Sequence, residues 1–383
     1  MLNPLSIWKY YSRNLHKVIP LLAILALSNL AVTASAAIAG SMLRDIEKHS
    51  SLQDSFYTVR YQPLEAQNYN IKTLETKISA LKNSEYYLKG KVRLTNATTI
   101  LGTAGEWIFY FNKEDQQKFM QEIQWEVTEG RLPEKGSEDV ALTEKLLLNK
   151  DLQIGSEFGN QLTKGEYLPG KHKISGKMKE KGDLIGGIGS LESLVAKQQD
   201  LDFTYYIHPN EGAKEALQIE LTNLEKEFPG IEVKTDKSEK ELNDSQFELI
   251  RSLVWSLDIL VMLVICMSVA LLNIIYFMQR SQEFGVLSAL GYTRNYLLWR
   301  TFKESVVVIL VSWVLGIAMT EAIYAILNNF LFNPNGIEGL TVLEPGTIVF
   351  SFPVPLTVTI FSLATILWHF TRMDAVAIVE KRD

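Results

Sequence analysis

The sequence predicts a membrane protein in which four transmembrane α-helices accompany a large extracytoplasmic α+β domain placed between the first and second spans. Three observations point there. Hydrophobic residues make up 47% of the 383 and gather in blocks rather than spreading evenly. Four blocks, 18–39, 253–277, 306–327 and 348–370, are long enough to cross a bilayer. The first carries no charge and extends about 33 Å as a helix, the thickness of a hydrocarbon core. Basic residues set the orientation. Lys9, Arg13 and Lys17 precede the first span, Arg280, Arg294, Arg300 and Lys303 occupy the loop 279–303, and Arg372, Lys381 and Arg382 follow the fourth span. The loop 328–347 has no Lys or Arg, only Glu338 and Glu344. By the positive-inside rule the terminal segments 1–17 and 371–383 and the loop 279–303 are cytoplasmic, and residues 40–250 lie outside.

The first block admits a second reading. Lys9 to Lys17, an apolar core and small residues at Ala34, Ser35 and Ala36 also suit a secretory signal. A signal core typically runs about 7–15 apolar residues, so the length favours a retained anchor.

Within the outer segment, alternation in 56–61 (FYTVRY) predicts a strand. Ile71, Leu74, Ile78 and Leu81 then share one helical face, and 91–94 (KVRL) reads as a second strand. The order returns at 203–208 (FTYYIH, strand), 210–228 (charged amphipathic helix) and 231–234 (strand). This weak repeat of pattern predicts two strand-helix-strand units packed side by side in one α+β layer, from about 50–95 and 201–237. Residues 96–200 form an insertion with strands at 106–111, 123–128 and 139–142 and a short helix at 143–149. Its tail, 155–189, is rich in Gly and Lys and reads as a mobile surface loop. From Ser238 to Met278 no Gly or Pro interrupts a helix-forming composition, which predicts one continuous helix for stalk and second span. A frayed juxtamembrane linker is the alternative.

Several functions are excluded. A net charge of -6 and the lack of a basic run argue against a nucleic-acid surface. The single cysteine, Cys266, allows neither an intramolecular disulfide nor a cysteine metal cluster. His16, His49, His172, His208 and His369 are scattered, with no metal-ligand spacing, and read as solvated or interfacial. Gly165, Gly170 and Lys171 fit GxxxxGK, but His172 stands where Ser or Thr must hold magnesium and Pro169 removes a phosphate-binding N–H. No GxSxG elbow occurs, and Gly186, Gly187 and Gly189 before Ser190 lack its strand-to-helix setting. The sequence therefore supports no catalytic residues, no metal and no cofactor on this chain.

In the spans, Asp258 and Glu321 lie within two turns of the outer ends and reach headgroup water. Arg300 and Glu304 pair at the inner edge, for a few tenths of a kcal/mol. Asn273 and the series Ser28, Ala31 and Ser35 are candidates for helix contacts. Pro353 and Pro355 predict a kink in the outer half of the last span. Between the second and third spans, 278–303 (MQRSQEFGVLSALGYTRNYLLWRTFK) sets Phe284, Leu287 and Leu290 at helical spacing, stopped by Gly291 and surrounded by Arg280, Arg294, Arg300 and Lys303. This is a short amphipathic helix against the cytoplasmic face, either a docking element for a cytosolic partner or a connector that only fixes topology.

The same loop carries a resemblance. Arg280, Glu283, Gly285, Leu287, Ala289, Gly291, Thr293, Glu304 and Ser305, with Gly316 in the third span, match the pattern of the FtsX/MacB-like (type VII, mechanotransmission) permeases of ABC transporters, which the chain resembles over nearly its whole length. Gly130, Arg131, Pro133, Glu138, Val140, Leu142 and Gly155 match the family's outer domain, whereas Ala375 stands where its C-terminal motif has proline. The resemblance implies a Porter-like layer from the two repeated units, with a Sabre-like lobe at 96–200. It also implies a non-catalytic permease subunit of a bacterial cytoplasmic membrane, working as a dimer with itself or a related permease and with two copies of an ABC ATPase that binds the ATP and magnesium. Arg280, Glu283, Phe284, Gly285, Leu287, Leu290 and Gly291 would form the coupling helix docked on that ATPase. The complex would export or extract a peptide, lipid or hydrophobic drug. Alternatively it would transport nothing and activate an outside adaptor or effector such as a cell-wall hydrolase.

Overall fold

The computed structural model describes the chain except for residues 1–14, 62–70, 101, 160–167, 169, 181–183, 196–201, 229, 338, 343–348, 350 and 373–383. The N-terminal segment before Leu15, the tail with Ala375 and Gly165 of the discarded nucleotide motif lie outside the described residues. The chain divides into a membrane unit (Met1–Met42, Glu248–Ile326, Leu340–Asp383) and an outer unit (Leu43–Phe247, Leu327–Gly339).

Among the described residues, the outer unit is built on a ten-stranded sheet. The two repeated units are present as β1 (Tyr57–Tyr61), α2 (Ile71–Ser79) and β2 (Ser84–Thr99), and as β9 (Thr204–Pro209), α6 (Lys214–Glu227) and β10 (Ile231–Lys234). Their strands interleave in the order β10-β1-β9-β2 with antiparallel neighbours, so that each unit is a split βαβ in a ferredoxin-like layer. Period-two alternation divides the side chains. Tyr57, Val59, Tyr205 and Ile207 face Leu74 and Ile78 of α2 and Leu217, Leu221 and Leu224 of α6. Tyr206 and Leu88 face the opposite core, with Phe56.

The insertion continues this sheet. β2 and β3 (Gly102–Phe111) form a long hairpin, and the order runs on through β8 (Gly186–Ser190), β5 (Val140–Thr143), β7 (His172–Glu180) and β4 (Trp125–Gly130), with β6 (Glu157–Phe158) on β7. α3 (Lys113–Glu122) is capped by Asn112, whose side chain accepts from Asp115 N. It drives Phe119 between Phe109 and Phe111 at centroid distances of 4.7 and 4.6 Å. α4 (Glu144–Asn149) ends with Asn149, whose amide bonds both N–H and C=O of Thr98 and so steadies the long hairpin.

The glycine-rich tail of the insertion is a correction. Residues 172–180 and 186–190, expected in a mobile loop, are the inner strands β7 and β8, and every residue of β8 is buried. Glycine is required there by close approach, not by a turn. A Cβ at Gly186 would stand 2.3 Å from the Trp107 carbonyl oxygen, and one at Gly189 2.3 Å from the Tyr110 ring. The strand is also held from above: Gln116 donates to Gly189 O at 3.0 Å, and Gly186 N donates to Thr143 Oγ1 at 3.1 Å. Of the histidines expected to be solvated or interfacial, His172 is buried and His208 is half-buried. His172 donates through Nδ1 to Glu138 O at 2.7 Å, and His208 stacks on Tyr86 at 5.0 Å while donating to Ser55 O. Lys171 of the GxxxxGK match pairs with Glu157 at 3.0 Å.

Glu180, at the end of β7, is a site of stored pH dependence. Its side chain is 6% exposed, Lys145 Nζ lies 3.8 Å away, and burial holds its carboxyl above the ordinary range. A carboxyl raised in the folded state binds its proton more tightly there than in the unfolded chain. The fold therefore loses stability as pH rises from the unfolded value through the folded one. Glu180→Gln is expected to raise the melting temperature at pH 7.5 and to leave it unchanged near pH 4. Equal shifts at both pH values would contradict this.

In the membrane unit, α1 (Leu15–Ser55), α7 (Asp236–Ala289), α8 (Arg294–Leu327) and α9 (Pro353–Arg372) hold the four apolar blocks. Among the described residues, Leu22–Ser41 and Arg294–Asn335 are long and apolar enough to cross a membrane, whereas the apolar stretches Trp255–Leu271 and Pro353–Trp368 are shorter. Leu25 and Val32 of α1, Ile265 and Val269 of α7, Val308 and Ile309 of α8, and Val354 and Val358 of α9 share one core. The contact face of α1 is Ala26, Asn29 and Thr33, all buried, two positions before each member of the expected series Ser28, Ala31 and Ser35. At the prolines the helical block is interrupted: Val349 and Ser351 are helical, Phe352 is a turn, and α9 runs on from Pro353. Glu321 is turned to the backbone, accepting from Val342 N at 3.2 Å. The side chains of Asp258 and Asn273 lie outside the described residues.

Candidate coupling site

The segment expected as a separate surface helix is the end of α7, which continues unbroken from Asp236 to Ala289. Gly291 stops it. With φ +91 it accepts the left-handed conformation that a Schellman cap needs. Gly291 N donates to Ser288 O at 3.0 Å, and Tyr292 N to Leu287 O at 3.1 Å. Two residues after Gly291, Thr293 opens α8: its carbonyl accepts from Leu297 N at 3.2 Å and its hydroxyl from Tyr296 N at 3.4 Å. A helix stop and a helix start thus stand one residue apart, and α7 and α8 form a tight hairpin.

The inner faces of the hairpin hold a charge cluster. Arg280, 3% exposed, grips both carboxylate oxygens of Glu283 through Nε at 2.8 Å and Nη2 at 3.0 Å. Its Nη1 crosses to Glu304 of α8 at 2.6 Å. Arg300 bonds the other oxygen of Glu304 at 3.3 Å and stands 3.8 Å from Glu283. The Phe284 ring covers the Arg280 guanidinium at 5.0 Å and is fully buried with Leu287, Leu297, Leu298 and Ile366. The outer edge is different: Val286 is 59%, Leu290 71%, Tyr296 43% and Trp299 54% exposed.

The predicted site residues therefore divide. Arg280, Phe284, Gly285 and Leu287 are buried and Glu283 half-buried, all within the hairpin, whereas Leu290 and Gly291 are at its exposed turn. The Arg300–Glu304 pair forms as expected, but sequence reasoning missed its junction with Arg280, which joins residues 24 apart across two helices. The only signal was that both ends of that contact belong to one motif.

Residues 256–375 match the model of the FtsX-like permease C-terminal domain. The chain carries an FtsX-like permease domain. That domain contains the whole hairpin, and a permease of this kind is generally a non-catalytic subunit of an ABC transporter, acting with an ATPase. In structure the chain is similar to the periplasmic region of MacB from Actinobacillus actinomycetemcomitans, at 8% identity, covering 49% of this chain and 92% of that one with a TM-score of 0.31. It is similar to the extracellular domain of the noncanonic ABC-type transporter YknZ from Gram-positive bacteria at 11% identity, covering 47% and 100% with a TM-score of 0.31. A permease domain from Porphyromonas gingivalis follows at 10% identity, covering 48% and 91% with a TM-score of 0.28. No curated protein matches the sequence.

Proposed function

We propose that the chain is the permease subunit of an ABC transporter of a bacterial cytoplasmic membrane, and that it converts ATP hydrolysis by a separate ATPase into motion of its outer domain. All four apolar helices span, with residues 40–250 outside and the 279–303 hairpin inside. Two copies, or one copy and a related permease, work with two ATPase subunits. The motion serves export or extraction of a peptide, lipid or hydrophobic drug. The observation that carries this reading is the continuity of α7, one helix from the end of the sheet to the coupling turn. Such a helix offers a path along which displacement at the turn would be carried.

The exposed turn supplies the docking edge, and Leu290 is its most exposed apolar side chain among the named residues. Leu290→Arg is expected to abolish co-purification with the cognate ATPase and the stimulated ATP turnover of the complex. Ile219→Arg, at an exposed position of the outer unit, serves as the control. Unchanged association in Leu290→Arg would refute the docking.

A further inference from the structure

We infer that Arg280, Glu283, Arg300 and Glu304 are a clamp at the base of the coupling hairpin: positioning residues that make α7 and α8 move as one lever, with the buried Arg280, Arg300 and Glu304 not contacts to the partner. The inference rests on the coupling reading above and assigns the roles within it. Burial is the first ground. Arg280 and the side chain of Glu304 are 3% and 2% exposed, so no partner surface reaches them without opening the hairpin. Geometry is the second. The guanidinium of Arg280 uses its edge for carboxylates on both helices and its face for Phe284, an arrangement that fixes distance, rotation and register together.

Position is the third ground. From Arg280 to Gly291, and from Gly291 to Glu304, each arm of the hairpin extends about 17–20 Å. The cluster thus ties the arms at their base, while Phe284, Leu287, Leu297 and Leu298 fill the space between them. With the base tied, a push on the turn displaces both helices. With it loosened, the same push bends one arm against the other. Net stability does not account for such a cluster, since desolvating ions offsets most of their attraction. Register does.

The test compares the full-length permease in complex with its ATPase for Arg280→Gln, Glu304→Gln and the double variant. Each single change leaves an unpaired charge at the base, whereas the double change leaves Glu283 and Arg300 to balance each other. Each single variant is expected to keep ATPase association and to lose at least about tenfold in stimulated turnover, by analogy with mutations that misplace reacting groups from a distance. The double variant is expected to recover most of that loss. Arg280→Lys keeps the charge and loses the fork, and serves if the glutamine variants do not accumulate. It is expected to bind the ATPase normally and stimulate poorly. Wild-type stimulation in the single variants or in Arg280→Lys would overturn the clamp, as would loss of association in step with turnover. Failure of the docking reading is separate: it shows as retained association in Leu290→Arg, whatever the clamp variants do.

Discussion

Gly186→Ala is expected to unfold the outer domain, a large effect from a single methyl group. The new Cβ would lie 2.3 Å from the carbonyl oxygen of Trp107 on the neighbouring strand, and Trp125 stands 3.3 Å away on the other side. A carbonyl oxygen cannot rotate out of the way as a side chain does, so β8 must part from β3. Overpacking usually costs roughly 1–3 kcal/mol, and a backbone clash in the middle of a sheet belongs at or above the top of that range. Gly136→Ala sets the scale. Its φ is +74 and nothing lies within 4 Å, so it carries only the conformational penalty, about 1 kcal/mol. Thermal unfolding of the full-length protein, followed by tryptophan fluorescence, to which Trp107 and Trp125 of the outer domain contribute, distinguishes them. Equal melting temperatures for the two variants would refute the close-packing role of β8.

That glycine also marks where the sequence stopped being legible. The layer of β1, α2, β2, β9, α6 and β10 was readable because its side chains announce it: Tyr57, Val59, Tyr205 and Ile207 alternate, and Leu217, Leu221 and Leu224 repeat at helical spacing. β8 announces nothing. Its sequence, GGIGS, has one large side chain, because the volume beside it is filled by Ile108 and Tyr110 of β3 and Leu142 of β5. A strand whose core is supplied by its neighbour looks like a loop when read alone.

The coupling site was legible in a different sense. The residues of the motif could be picked out, and Gly291 could be read as a stop, since a cap is a local feature. Which of them face inward could not, because the apolar stripe of Phe284, Leu287 and Leu290 gives no hint that two members are buried and one is 71% exposed. The bond from Arg280 to Glu304 depends on the four-residue turn, 290–293, that folds α8 back, and no spacing rule reaches across it. The two arms of a helical hairpin share a face only after the turn has set their register.

Register between helices is also what Gly316→Leu is expected to destroy. Ser312, Gly316, Thr320 and Tyr324 follow one another at every fourth position of α8, and all four are buried. Ser312, Thr320 and, across the seam, Thr33 turn their hydroxyls back to carbonyls of their own helices, at 2.7, 2.8 and 2.7 Å, which leaves the seam small and internally satisfied. Tyr324 closes it by donating to Ala34 O at 3.0 Å. At Gly316 a Cβ would meet the Cβ of Asn29 at 2.6 Å and the Ala26 carbonyl oxygen at 3.1 Å. A Cβ is fixed to its backbone, so no rotamer of Asn29 relieves the contact and α1 must move away from α8. A leucine side chain then needs the space of the whole seam, and the Tyr324 bond to Ala34 is lost with it. Gly316→Leu is expected to leave little folded protein after detergent extraction, read as the monodisperse fraction in size-exclusion chromatography. Gly316→Ala should be intermediate. Ala318→Leu, on the exposed face two residues on, should match the wild type. If Gly316→Leu and Ala318→Leu behaved alike, the α1–α8 seam would not hold the membrane unit together, and the lever would lack a fixed body to work against.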